Sequence, residues 1–244
     1  MITLKEVRKE YLQPNGERLR VLENISFEIA EGTFCSLLGP SGCGKSTILN
    51  LIARLDRHTS GNISVNGNKM GFVFQQPRLL NWRTVTDNVA LPLEHDNFDK
   101  RGRRELALKY LRLVGLDGFE DYYPLQLSGG MQQRVAIARA LVIDPEILLM
   151  DEPFSGLDEF TARKLRQELI RIWQETGKTV VFVTHSISEA IFLSQQILIV
   201  SRKPATISRR ITVDAPYPRE YGDLRLFEIE TSLTRDFLEM NSAL

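Results

Sequence analysis

Apolar positions along the chain follow two spacings, and these divide it into elements. In the first third they alternate or run together over short lengths: Leu19 to Ile29 alternates, Thr33 to Leu38 is one apolar run, and Asn62 to Val65 and Gly71 to Phe74 follow turn residues. This third reads as strands of a mixed sheet. From Arg101 to Val114 the spacing becomes helical, with Leu106, Leu108, Leu111, Leu113 and Val114 set among charges and Gly115 and Gly118 closing the pattern. A second helix is predicted from about Met131 to Val142, after Ser128 and two glycines. Two short apolar runs, Ile147 to Met150 with Asp151 and Thr179 to Val183 with Thr184, flank a helical pattern from Glu159 to Trp173. Strand, helix, strand with no alternation in the strands predicts a parallel sheet covered on both faces. After Val200, Ser201 to Val213 predicts a hairpin around Lys203, Pro204 and Ala205. Pro216 and Pro218 bar a helix there, and the last segment reads as a short helix and tail.

Composition narrows the class. With 244 residues, 43% hydrophobic and 25% charged, the chain is ordinary for a soluble globular protein, which excludes disordered and collagen-like classes. Lys plus Arg and Asp plus Glu both total 31, so no bulk field gathers nucleic acid or anionic lipid; no nucleic-acid partner is expected, and any membrane role must come from a local surface. The apolar runs fall far short of the roughly 18 residues of a spanning helix. Met1 to Glu6 shows no basic start followed by an apolar run, so a cytosolic location is expected. Cys35 and Cys43 suggest no disulfide framework and read as reduced thiols.

Chemistry enters at Gly39-Pro40-Ser41-Gly42-Cys43-Gly44-Lys45-Ser46-Thr47, which fits G-x-x-x-x-G-K-[ST] between an apolar strand and a helical run. Glycines let successive backbone N–H groups turn toward phosphate oxygens, and the helix N-terminus adds positive potential. Lys45 would bridge β- and γ-phosphates of ATP and Ser46 would ligate Mg2+. The run Ile147 to Met150 delivers Asp151 and Glu152 at its carboxyl end, where ligands bind in open α/β sheets. Asp151 is a candidate for Mg2+, and Glu152 for the base or orienter of the attacking water. His185, one of three histidines, closes the next apolar run and is a candidate partner of the γ-phosphate. Gln75, after the run Gly71 to Phe74, offers a neutral amide for metal and water, and Gln76 competes for that role.

Leu127-Ser128-Gly129-Gly130-Met131-Gln132-Gln133-Arg134 has no use in a P-loop alone. Ser128 is a good N-cap, and the two glycines leave the first N–H groups of the helix uncovered, a second terminus suited to phosphate. This segment resembles the signature motif of the ABC ATPases. The resemblance extends over residues 4 to 200 and implies further roles: Tyr11 stacks on adenine, Gln75 is the Q-loop glutamine, Ser155-Gly156-Leu157-Asp158 is the D-loop, and His185 is the switch histidine. It implies an α/β P-loop (RecA-like) core with an antiparallel β-subdomain and an inserted helical subdomain. The expected limits are core residues 1–85 and 141–213, helical subdomain 86–140 and a C-terminal tail 214–244, all in one ATP-binding domain. Ser128, Gly129 and Gly130 would face the γ-phosphate bound by a second cassette, in a homodimer or a heterodimer with a related chain.

Leu79-Leu80-Asn81-Trp82-Arg83-Thr84-Val85 and Ser201-Arg202-Lys203-Pro204 with Ile207 further resemble ATP-binding subunits of bacterial nitrate, sulfonate and taurine importers. Asn81 stands where that subgroup has proline, Ala205 where it has glycine, and the segment between Gly67 and Gly71 is shorter. That branch implies a separate integral-membrane permease, a periplasmic or extracellular solute-binding protein, and a peripheral location on the cytoplasmic face of the membrane. Leu79, Leu80 and Trp82 are apolar residues in an exposed connection, which favours a surface receiving a permease helix. The rival readings are a soluble ABC ATPase of an assembly machine, for example for iron-sulfur clusters, and a small-molecule P-loop kinase, which has no use for Leu127 to Gln133.

Overall fold

The computed structural model describes residues 1–95 and 98–242. The chain opens with strands β1 (Ile2–Leu12), β2 (Arg18–Ile29) and β3 (Phe34–Leu38), helix α1 (Lys45–Ile52) and strand β4 (Ser60–Val65). Then follow β5 (Met70–Val73), α2 (Val85–Ala90), α3 (Lys100–Leu113), α4 (Gly129–Leu141), β6 (Ile147–Asp151) and α5 (Glu159–Thr176). Last come β7 (Thr179–Thr184), α6 (Ile187–Leu193), β8 (Gln196–Val200), β9 (Ile207–Thr212) and α7 (Leu224–Ser242). The chain divides into two compact units, Met1–Asn66 with Thr179–Leu244, and Gly67–Lys178.

In the first unit β2, β1 and β4 form an antiparallel sheet in that order. A second set of strands runs β7, β3, β8, β9, parallel except for β9, which pairs antiparallel with β8 at the edge. Every residue of β3 and β7 is buried, which explains why both read as unbroken apolar runs. In the second unit β5 and β6 pair in parallel, and the expected helical subdomain, 86–140, lies wholly inside this unit.

Several elements differ from the sequence reading. Strand β1 buries Ile2 and Leu4 and then Val7, because a register shift between Leu4 and Val7, with Glu6 at φ 51°, breaks the two-residue period. That shift hides the strand from a search for alternation. The C-terminal hairpin is built from β8 and β9, so its first strand precedes Ser201; the run Ile197 to Val200 is apolar on both faces and gives no hairpin pattern. Helix α6 has seven residues, too few to show a period, and α7 is a helix of 19 residues, longer than the short helix expected. Among the described residues no helix is long and apolar enough to cross a membrane.

Candidate functional site

The first unit builds one half of the candidate chemistry at the carboxyl ends of parallel strands. β3 pairs with β7 so that Leu38 lies opposite Thr184. The loop Gly39 to Thr47 and His185 therefore leave the sheet side by side from one edge, the edge at which α/β sheets bind ligands. His185 is exposed there and directly precedes Ser186, whose hydroxyl caps α6 by accepting from Glu189 N at 3.3 Å.

Within the loop, Gly44 holds φ 123°, and a Cβ there would meet Leu22 Cδ2 at 2.9 Å, so the turn tolerates no side chain. Gly44 is also the N-cap of α1, and no side chain caps that terminus. Lys45 is 3% exposed, and its ammonium donates to the carbonyls of Gly39 at 2.7 Å and Pro40 at 2.9 Å. The side chain is thus folded back across its own loop. Pro40, Ser41, Gly42 and Ser46 are at least partly accessible, while Cys43 is buried and burial pushes its thiol pKa up. An uncapped helix terminus, a turn without room for Cβ and a lysine held over the loop fit a polyphosphate.

Tyr11, 38% exposed on β1, belongs to the same unit. Its hydroxyl donates to Asp56 Oδ2 at 2.6 Å, and its phenol is raised in pKa by burial first and by that carboxylate next.

In the second unit Val73 lies opposite Met150, so Gln75 and the pair Asp151 and Glu152 leave β5 and β6 at their common carboxyl edge. Gln75 and Gln76 are both exposed in the bend after β5. Asp151 closes β6, and Glu152 adopts φ 42°, the left-handed region that side chains with a Cβ avoid. Its carbonyl is secured by Ser155, which donates from N at 3.1 Å and from Oγ at 2.9 Å.

The signature segment opens α4. Ser128 caps the helix by accepting from Met131 N at 3.3 Å, and Ser128 and Gly129 are exposed. Gly130 is buried, and a Cβ there would meet Thr161 Cγ2 of α5 at 2.7 Å. Packing against α5 by itself therefore demands glycine at 130, whereas a Cβ at Gly129 would make only an ordinary contact with Leu157 Cδ2 at 3.9 Å. Asp158 caps α5, accepting from Thr161 N at 3.0 Å, and that bond holds its carboxyl below the usual range. Thr161 thus links the start of α4 to the cap of α5.

Two residues that sequence reasoning passed over organise the segment after Gln75. Arg139 donates to the carbonyls of Pro77 at 2.6 Å and Arg78 at 2.9 Å. Asn88, fully buried, accepts from Leu80 N at 2.7 Å and directs its amide at the carbonyls of Leu80, Arg83 and Thr84 at 2.9–3.1 Å. For Asn88, an amide on the buried face of a short helix was the available signal. Asn88 shapes the strap that carries Trp82, which is 75% exposed.

Glycine loop, uncapped helix and buried lysine at the end of a parallel strand define a P-loop nucleotide-binding protein. A sequence profile of the ABC transporter family matches residues 22–155. An aliphatic sulfonates import ATP-binding protein of Bacillus cereus is 44% identical over 97% of this chain and 95% of its own length. A taurine import ATP-binding protein of Rhizobium johnstonii is 47% identical over 82% of this chain and 79% of its own. A solved ATP-binding cassette, described as the dimeric post-hydrolysis state bound to ADP and Pi, superposes with a TM-score of 0.79 at 38% identity, covering 88% of this chain and all of that one. The chain belongs to the ABC transporter family, as an ATPase with the α/β fold of its cassettes.

Proposed function

We propose that the chain is the ATP-binding and ATP-hydrolysing subunit of an importer, coupling hydrolysis to movement of a small solute of the sulfonate, taurine or nitrate type through a separate permease. The observation that carries the nucleotide half of this reading is the Leu38–Thr184 register, which brings the phosphate loop and His185 to one edge. Lys45 meets the β- and γ-phosphates and Tyr11 stacks on adenine. Ser46, Gln75 and Asp151 would each offer a hard oxygen donor of the kind that suits Mg2+, whose charge would offset that of the phosphates. Glu152 orients the attacking water and accepts its proton, and His185 contacts the γ-phosphate. Ser128, Gly129, Gly130 and Asp158 serve the nucleotide of a second cassette, which makes the working form a dimer.

The transport half is supported by the import proteins among the relatives and by two surfaces of the second unit. One is Trp82 on its Asn88-bound strap. The other is a groove of about 500 Å³ lined by Phe72, Phe74, Leu91 and Pro92 with Arg78 and Arg139 at its polar side. An exposed aromatic and an apolar groove with charged margins suit an amphipathic cytoplasmic helix of a permease. A solute-binding protein outside the membrane completes the system, and the chain sits peripherally on the cytoplasmic face. Purification from membranes tests this: the chain should be retained by a polytopic membrane protein, with hydrolysis stimulated by a solute-loaded binding protein. A chain recovered without any membrane partner and hydrolysing ATP at full rate alone would remove the importer reading and favour the assembly ATPase.

A further inference from the structure

Around Tyr11 lies a group of ionised side chains that the nucleotide chemistry does not yet use. Lys9 precedes Tyr11 by two residues on β1 and shares its face of the strand. Lys9 is 7% exposed, unusual for a lysine, and its ammonium sits 4.4 Å from the centroid of the Tyr11 ring. It donates to Asp56 Oδ1 at 2.6 Å and to the carbonyl of Arg57 at 2.7 Å. Asp56 takes the Tyr11 hydroxyl on its other oxygen, at 2.6 Å. One carboxylate thus grips both the ring's tip and the cation that backs the ring.

We propose that Lys9 and Asp56 are positioning residues that set Tyr11 as the platform for the adenine base. The inference rests on the reading of Tyr11 as the adenine-stacking residue. Two physical effects support it. A tyrosine on an exposed strand end samples several rotamers, and each must be frozen out before a base can stack; the bond to Asp56 removes that cost in advance. The ammonium also occupies one face of the ring, leaving the other for the base, and draws π-density toward itself, which lessens repulsion between stacked faces.

Asp56 lies four residues beyond the end of α1, the helix that begins at Lys45, and its backbone N–H donates to the Asn50 carbonyl at 3.3 Å. The base platform is therefore tied to the C-terminal end of the helix whose N-terminal end carries the phosphate loop. A nucleotide offering both a base and a polyphosphate meets two sites whose spacing is set by one rigid element.

Calorimetric titration of the full chain with ATP and with inorganic tripolyphosphate, both with magnesium, tests the clamp. Lys9→Met and Asp56→Asn should each weaken ATP about 3- to 10-fold and leave tripolyphosphate affinity unchanged, with KM for ATP rising in step. Tyr11→Phe, which removes only the hydroxyl, should weaken ATP about 2- to 3-fold and covers the case in which a clamp variant does not fold. In a Tyr11→Ala background the clamp substitutions should add nothing. Equal weakening of both ligands, additivity with Tyr11→Ala, or no loss of ATP affinity while Tyr11→Ala still loses it overturns the clamp and leaves the stacking reading intact. ATP binding unchanged in Tyr11→Ala removes the stacking reading itself, and the clamp with it.

Discussion

Glu152 combines the carboxylate proposed as the catalytic base with a backbone that a residue bearing Cβ adopts at a cost of about 1–3 kcal/mol. Such strain persists when it aims a side chain, and two substitutions separate backbone from carboxylate. Glu152→Gln keeps the shape and should reduce hydrolysis by at least about 100-fold while ATP binding persists, the usual size for loss of a general base; steady-state turnover beside equilibrium binding checks this. Glu152→Gly should also lose turnover but raise stability by up to about 1 kcal/mol, and a lower melting temperature than the parent chain would contradict the strain account. The acid pair and the phosphate loop were legible in the sequence because spacing alone defines them. The left-handed turn at Glu152 was not, since no local residue signals it.

A pH dependence follows at Asp56. Partial burial pushes its pKa up, but the bonds from Lys9 and Tyr11 together outweigh burial and hold the carboxyl below its ordinary value. A carboxyl depressed in the folded state stabilises above its unfolded pKa and loses that contribution as pH falls through the folded one. The stability gap between the parent and Asp56→Asn should therefore be present at pH 7 and shrink below about pH 4. Thermal melts across that range check it, and a gap that widens in acid would refute the linkage.

At the scale of elements, side chains that reach main-chain carbonyls hold together segments with little apolar content. Asn88 does this for residues 80–84, and Asn88→Ala, which strips partners from buried backbone groups, should cost about 2–3 kcal/mol. In the first unit Arg219, 4% exposed, donates to the carbonyls of Ile191 at 2.6 Å, Ser194 at 2.8 Å and Ala215 at 3.0 Å, fastening the end of α6 to the segment after β9. Arg219→Met keeps the apolar stem and should still cost about 3 kcal/mol, because those carbonyls lose their donors. Urea denaturation measures both. Helices α3, α4 and α5 were readable from their spacing, and Ser128 occupies the cap position expected of it. Asn88 and Arg219 were not, because each acts on backbone that becomes adjacent only after folding.

For the whole molecule, the proposed role of exposed Ser128 and Gly129 at the start of α4 makes a second cassette part of the working nucleotide site. Glu152→Gln should accordingly elute as a dimer with ATP and as a monomer with ADP in size-exclusion chromatography, and replacing Gly129 by a bulky residue should abolish the dimer without changing ATP binding by the monomer. A Glu152→Gln chain that stays monomeric at saturating ATP would count against the shared site. The α/β character was legible because buried parallel strands have a distinctive composition. The division at Gly67 and Thr179 was not, since no linker or change of composition marks either boundary.

The strap that lifts Trp82 into solvent also makes the chain its own optical probe. Of its two tryptophans, Trp82 is 75% exposed and Trp173 is 8% exposed within α5. Their emission should separate into a red-shifted fraction open to iodide quenching and a blue-shifted fraction that is shielded. A partner helix settling over Trp82 then registers as loss of the quenchable fraction alone, so the association can be timed in a stopped-flow cell with no label attached.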